Sequence, residues 1–506
     1  MATNVKIEKK LTLISLILMI FTSVFGFTNI PRSFYLMGYA AIPWYVISAA
    51  AFFIPYAFMM AEYGAAFKNE KGGIYSWMER SAGKKYAFIG TFMWYASYVV
   101  WMVNVSSAIW IVISTALFGK DLTSNWSLLG LNSTQTLGLL AAIFMLIITF
   151  IGSRGLEKIT KVTSIGGIAV TLLNLVLLGG GLLILAINGG ELAQPITSVG
   201  EAFSSSPHPG YQTPIAAVSF MVFSIFAFGG IEVIGGLVDK TENAEKTFPK
   251  GVTIAAIVIS IGYAVGIFLC GIFTNWEAIL SDPSIHMGNV AYVLMENLGF
   301  QLGQALGMTE TVSVTIGLWM SRYMGISMVL ALTGAFFTLS YSPLKQLIEG
   351  TPAEMWPAKV REIKNGMPIN AMWIQCGVVI VFVVLVAFGG EGASAFFSKL
   401  ILMTNVAMTI PYMFIAAAFP MFKAKDSIEK PFEIYKSLTA AKIATAFCVV
   451  TVAFANLSTI IEPATKGDYA STAWMVGGPL FFTVLALTIY SNYEKKMAAQ
   501  RKEKLA

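Results

Sequence analysis

The chain has 506 residues, 56% of them hydrophobic and 12% charged, with a mean hydropathy of +0.72; soluble domains carry roughly 25% charged residues, so a soluble enzyme or binding module is excluded and an integral membrane protein is implied. The net charge of +6 sits in short hydrophilic segments between apolar runs, which marks orientation in a bilayer and excludes a nucleic-acid partner. Cys270, Cys376 and Cys448 stand singly in apolar runs and the chain holds two histidines, so neither a disulfide framework nor a metal site follows, and no cofactor is expected.

Residues 1–10 are polar and basic, and the apolar run behind them lacks a small-residue cleavage site. This predicts a retained first span and no signal peptide. A hydrocarbon core about 30 Å thick takes roughly 20 apolar residues per helix. Twelve runs meet that length: 11–30, 39–66, 86–117, 133–152, 162–187, 214–238, 250–275, 315–342, 370–388, 395–420, 437–463 and 472–493. With the N-terminus inside, the inner loops and tails hold 28 of the 33 Lys and Arg, while the external segments 188–213 and 276–310 hold none. Cytoplasmic loops carry this excess, so the prediction is a multi-pass protein of the cell membrane, embedded in the lipid bilayer, with both termini cytoplasmic.

Two spans are interrupted at corresponding places. Span one reads LILMIFTSVFGFTNIPRSFYLMG, where Thr22, Ser23, Gly26, Thr28 and Asn29 break the apolar run; span six reads FSIFAFGGIEVIGG, with Gly229, Gly230, Glu232, Gly235 and Gly236. Interrupted segments in matching positions of two halves point to a transporter whose solute sits at the unwound turns. Close packing of small residues is the alternative reading of the glycines. A carboxylate at the same depth favours the transporter.

Four stretches carry a family likeness: FAFGGIEVIGG followed by DKTENAEKTFPKG; FIPYAFMMAEYGAAFKNEKGGIYSWMERSAG at the end of span two; KNGMP before span nine; and PFEI at 431–434. In order and spacing they resemble the amino acid–polyamine–organocation (APC) superfamily of secondary transporters, near its glutamate/GABA antiporter branch. The resemblance implies an all-α integral membrane protein of 12 transmembrane helices with a LeuT-type 5+5 inverted repeat and broken helices 1 and 6. Repeat one would cover about 11–187, repeat two about 214–420, and helices 11–12 about 437–493, as a single polytopic domain. The site would lie between the broken spans, lined by spans three, eight and ten. The family seats a carboxylate on a glycine-rich triplet in span one, of which Gly26 alone remains here. By position, the implied substrate contacts are Ser23, Gly26, Phe27 and Thr28 in span one, Asn104 in span three, and Phe226, Gly229, Gly230 and Glu232 in span six.

Unwound turns expose N–H and C=O groups that lipid cannot bond, and a half-helix N-terminus carries partial positive charge suited to a carboxylate. A carboxylate at bilayer depth costs about 2.5–3.5 kcal/mol on insertion scales and marks function by default. Glu232 is therefore the candidate for proton coupling or cation binding; the alternative is a tie between spans one and six. Phe226 is a candidate gate, with core packing as the alternative. Glu62, at the cytoplasmic end of span two, reads as structural or gating, Arg322 as a snorkelling end residue, and Asp239, Lys240, Lys246 and Lys250 as a cytoplasmic gate and loop.

The resulting expectation is a secondary active transporter, working by symport or exchange through alternating access. Its solute is an amino acid or an amine such as ethanolamine, with a proton or counter-substrate as coupling partner. A glutamate/GABA-type antiporter is the alternative, and a transporter-like amine receptor the alternative of another class. The sequence lacks the G-x-x-x-x-G-K-[ST] motif of ATP-driven transport and any grouping that suggests an enzyme.

Overall fold

A computed structural model describes residues 11–68, 73–154, 159–233, 238, 241–364, 367–390 and 392–505. Hydrocarbon offers backbone groups no hydrogen bonds, so apolar runs close their bonds internally as helices. Among the described residues β-pairing is limited to isolated bridges such as Leu11 with Thr241.

Helix α1 (Leu13–Val24) starts at Thr12, whose hydroxyl accepts from Ser15 N, and stops before Phe25. After a gap, α2 (Asn29–Met37) resumes. Gly38, at φ +54°, then turns the chain into α3 (Ala41–Ser48), a π turn (Ala49–Phe53) and α4 (Ile54–Ala66), which run on as one span. A short α5 (Ile74–Ala82) precedes α6 (Lys84–Phe118), which ends at a left-handed Gly119. An Asn132–Gln135 capping box opens α7 (Ser133–Gly152), and α8 (Ile159–Ile187) follows. The external segment carries α9 (Val199–Ser204); α10 (Pro214–Ala227) has proline in its first turn, where no N–H is needed. The rest are α11 (Ala244–Phe273), α12 (Val290–Ala305), α13 (Glu310–Gly350), α14 (Ile369–Ala387), α15 (Ala393–Lys423), α16 (Leu438–Thr465) and α17 (Tyr469–Leu505).

Eleven described helical stretches are long and apolar enough to cross a membrane. The first predicted span differs, being split into α1 and α2 of 12 and 9 residues, each shorter than a crossing requires. The external segment 276–310, expected as loop, contains α12, which lies along α13 and whose Asn297 donates to Phe273 O at 2.6 Å. Lipid-facing surface is plain on α16, where Ile443, Phe447, Val450, Phe454, Leu457 and Ile461 form an exposed stripe at helical spacing.

Buried side chains from α1 to α17 make one large connected core, and Leu344, Ile348, Met367, Ala371 and Met372 make a small second cluster between α13 and α14. The 41-residue α13 approaches its neighbours through glycines. A Cβ on Gly325 would stand 2.5 Å from Ala116 N of α6, and one on Gly317 would stand 2.7 Å from Glu296 O of α12. Such contact is how membrane helices associate without a hydrophobic drive between them. Replacing Gly325 with Val is expected to force α13 off α6 and to cost about 1–3 kcal/mol, seen as a lowered melting temperature of the detergent-purified protein; an unchanged melt would refute this packing.

Candidate transport site at the two broken helices

The break in α1 follows from its sequence. Phe25 N donates the last α1 bond, to Phe21 O, and regular bonding resumes with Asn29 N to Gly26 O at 3.0 Å. Between them, the N–H groups of Phe27 and Thr28 make no hydrogen bond to any described residue, and the Thr28 side chain does not cap α2. The start of α2 therefore presents open donors with the positive end of a helix dipole behind them.

Span six breaks at the same place. Its last turn closes with Gly229 N donating to Phe226 O at 2.9 Å. Gly230 then takes φ +108°, a conformation that glycine alone adopts without strain, and a 3-10 turn over 231–233 carries Glu232. Gly230 N donates to Glu232 Oε2 at 3.2 Å, whereas Oε1 is buried without a partner. Glu232 is 2% exposed. Gly235, Gly236, Asp239 and Lys240 lie outside the described residues.

The two breaks abut. A Cβ on Gly230 would stand 3.1 Å from Ser23 O. Tyr263, fully buried on α11, joins them: its hydroxyl accepts from Gly26 N at 2.8 Å and lies 3.0 Å from Val24 O and 2.8 Å from Ala227 O. A phenol has one proton to give, so it serves these two carbonyls in turn. Its ring is held by Phe25, Tyr45 and Phe228 at centroid distances of 4.6, 5.0 and 5.4 Å.

Of the residues expected at the site, Gly26, Phe27, Thr28, Gly229, Gly230 and Glu232 are brought together at the breaks. Phe226 is half-buried beside them, its carbonyl in the last α10 turn, while Phe228 is fixed by stacking on Phe53 at 4.5 Å. Ser23 supplies its carbonyl; its exposed side chain donates back to Met19 O at 2.7 Å. Asn104 is half-buried on α6, but the α6 side chains around Glu232 are Trp94 and Tyr98.

Residues that sequence reasoning missed are Tyr263, Trp94, Tyr56 and Tyr412. The hydroxyls of Tyr56 (α4) and Tyr412 (α15) and the Trp94 indole N–H are buried without partners. Tyr412 lies directly over the break, since a Cβ on Gly229 would stand 1.9 Å from its hydroxyl oxygen. The available signal was a polar-tipped aromatic inside an apolar run, which ordinarily finds a partner when buried.

Outside the breaks, charges are tied down. Glu62 is fully buried: Lys423 Nζ donates to its Oε2 at 2.9 Å, and Ile434 N and Tyr435 N donate to Oε1 at 2.7 Å each. Glu433, from the PFEI stretch, shares Lys423. Arg322, read above as a snorkelling residue, donates to Phe118 O at 3.1 Å and so caps the end of α6. Lys246 and Lys250 lie in the first turns of α11, where Lys68 pairs with Glu245. On the other side, Arg32 Nε donates to Met287 O at 2.8 Å and Tyr35 OH to Ile285 O at 3.1 Å, fastening α2 beneath the segment before α12. An open crevice of about 770 Å³ between α14 and α17, walled by Val381, Phe382, Trp474 and Phe481, is apolar and remote from the breaks.

The amino acid permease profile matches residues 11–484. The chain belongs to the amino acid permease family. This permease is 55% identical to the inner membrane transporter YjeM of Salmonella typhimurium, over 97% of this chain and 98% of that protein. It is 24% identical to the aspartate/glutamate permease AcaP of Lactococcus lactis subsp. cremoris, over 92% and 90% of the two chains. A glutamate/gamma-aminobutyrate antiporter of Lactococcus lactis subsp. lactis is 19% identical, over 89% and 83%. The superfamily placement made from the motifs is thereby borne out; the permease is a multi-pass membrane protein and no enzyme.

Replacing Tyr263 with Phe keeps the ring but strips the Gly26 N–H and two carbonyls of their partner, at about 1–3 kcal/mol for each buried group left unmet. The variant is expected to insert normally yet melt several degrees lower in detergent and lose most of its transport. Wild-type melting and transport together would remove Tyr263 from this role.

Proposed function

We propose that the permease is a secondary active transporter that carries a small amino-bearing solute by symport or exchange, through alternating access, with the solute seated between the two breaks. The observation that supports this best is the opposition of charge across the seat: open N–H groups of Phe27 and Thr28 at the start of α2, facing the carbonyl ends of α1 and α10 with Glu232 beside them. A zwitterion fits such a pair of poles, its carboxylate at the α2 end and its ammonium at the carbonyl ends, with Glu232 as counter-charge. An amine lacking a carboxylate leaves the Phe27 and Thr28 donors unmet, and the Ser23 hydroxyl, spent on Met19 O, removes one contact for an amino alcohol. The amino acid reading is therefore preferred to ethanolamine. Two of the relatives, an aspartate/glutamate permease and a glutamate/gamma-aminobutyrate antiporter, agree with this solute class.

In this reading Gly26, Phe27, Thr28, Phe226, Gly229 and Gly230 shape the seat, and Ser23 contributes backbone. Asn104 lines its outer approach on α6. Glu232 binds a cation or couples a proton, or responds to a counter-substrate. The first of the eleven long stretches, Asn29–Ala66, joins α2 to the α3–α4 span; assigning α2 to a crossing with α1 and leaving α3–α4 as its own gives twelve, arranged as the 5+5 inverted repeat plus two helices of a single domain, with both termini in the cytoplasm.

Replacement of Glu232 with Gln tests the seat, since the amide keeps size and bonding but removes charge and titration. Counterflow of labelled alanine, glycine, glutamate, GABA and ethanolamine in proteoliposomes is expected to show saturable exchange of amino acids in the wild type and at least a tenfold loss in the variant, with its gel-filtration profile unchanged. Exchange of ethanolamine alone would reverse the solute preference, and a fully active Glu232→Gln would sink the charge argument.

Orientation has its own check. Ser81 looks accessible from sequence, but it is buried with its hydroxyl donating to Trp77 O at 2.6 Å; Lys84 and Ser204 are exposed. In a cysteine-free background, an impermeant maleimide added to whole cells is expected to label Ser204→Cys and to spare Lys84→Cys. The opposite pattern would invert the topology.

A further inference from the structure

On the Glu232 side of the breaks, four elements bring unbonded polar groups into one neighbourhood. Glu232 Oε1, Trp94 Nε1 from α6, the Tyr56 hydroxyl from α4 and the Tyr412 hydroxyl from α15 are all buried and all lack a hydrogen-bond partner; none of these residues is more than 2% exposed. They form one cluster. The Tyr56 and Tyr412 rings are 5.5 Å apart, and the Tyr412 hydroxyl covers Gly229. Both tyrosines are electrostatic neighbours of Glu232, and Trp94 lies beside the same carboxyl, near enough for its N–H to favour the carboxylate without forming a hydrogen bond of ordinary geometry. Tyr98 packs edge-on against Trp94 at 5.1 Å and closes that side. Buried polar atoms are rarely left unmet because the loss is costly, so four at one spot, next to a transport seat, mark where a ligand group belongs.

We propose that this cluster is a subsite for the solute's side chain, that Trp94 is its specificity-determining residue, and that it selects an uncharged group able both to donate and to accept hydrogen bonds, a carboxamide above all. The inference rests on the transporter reading given above and deepens it. An indole N–H only donates, an ionised carboxylate only accepts, and a tyrosine hydroxyl does either. A carboxamide answers all of these at once: its NH2 gives a proton to Glu232 Oε1 and another to a tyrosine oxygen, and its carbonyl accepts from Trp94 Nε1 and the second tyrosine. An ammonium supplies donors but leaves Trp94 unmet. A carboxylate leaves Glu232 unmet and sets a like charge against it, and among the described residues no Lys or Arg bonds within the cluster to offset that. A methyl group satisfies none of the four. Glu232 Oε1 has lone pairs for both the carboxamide and the counter-charge role toward the ammonium.

The test is competition against labelled alanine counterflow by full-length permease in proteoliposomes, with unlabelled glutamine, glutamate, putrescine and alanine as competitors. In the wild type, glutamine is expected to compete roughly tenfold or more better than glutamate or alanine, the size of one or two hydrogen bonds to charged or polar partners. Trp94→Phe, which keeps the ring and removes the N–H, is expected to cut the glutamine-to-alanine affinity ratio about tenfold. Tyr412→Phe is expected to lower the same ratio, and it decides the matter if Trp94→Phe does not fold. Preference of the wild type for glutamate or putrescine, or a glutamine-to-alanine ratio that neither variant moves, as resident water or a purely structural tryptophan would give, overturns the subsite. Alanine counterflow without glutamine preference overturns this inference alone, whereas absence of counterflow for every solute overturns the transporter reading and the subsite with it.

Discussion

A helix that stops inside hydrocarbon must find partners for the groups it frees, and in this permease one phenolic oxygen meets part of that demand at both breaks. Tyr263 reaches from α11 to Gly26 N, Val24 O and Ala227 O. Each of those groups, buried and unmet, would cost about 1–3 kcal/mol, comparable to the whole insertion cost of a buried carboxylate. Because one hydroxyl serves both breaks, the two interrupted turns are held side by side. The single phenolic proton adds a second property. It can bond Val24 O or Ala227 O but not both at once, which leaves the other carbonyl without that donor.

What the sequence made legible follows from how strongly each feature departs from its surroundings. Apolar runs of bilayer length and the one-sided placement of Lys and Arg are coarse signals repeated along the whole chain, and the described helices fall on those runs. The breaks were legible because Glu232 is an improbable residue for the middle of a membrane helix and follows directly on the paired Gly229 and Gly230, which weaken the helix there. By contrast, α12 was hidden by its length: 16 residues with Glu296 and Asn297 inside are too short and too polar to register as a span, and its helical form is secured by lying along α13.

The partners of the breaks were illegible for a different reason. Tyr263, Trp94, Tyr56 and Tyr412 sit in apolar runs where a packed aromatic and a site aromatic have the same spacing, and only three-dimensional placement separates them. Ser23 shows the converse. It is polar and adjacent to a break, yet a serine in a helix readily bonds the carbonyl four residues back, and here its hydroxyl does so with Met19 O, which leaves the backbone as its contribution to the seat.

Among the described residues, Glu62 and Glu232 are carboxylates buried in membrane-crossing segments, and their surroundings differ. Glu62 has both oxygens filled, one by Lys423 and the other by two backbone N–H groups of the segment after α15. A buried charge so paired resists removal of either partner, because the survivor would be left uncompensated; it fastens α4, α15 and the PFEI segment in one arrangement. Glu232 has one oxygen held by Gly230 N and the other open. Its neighbours repeat the pattern, with polar atoms buried but unfilled. A saturated carboxylate can gain nothing from a ligand, so binding energy has nowhere to enter at Glu62. At Glu232, in the reading proposed here, the missing bonds are the affinity open to a solute, whose occupancy would complete a network that spans α4, α6, α15 and the broken end of α10. Filling it therefore bears on four helices at once, which is how a small molecule can bias the arrangement of a large helical protein.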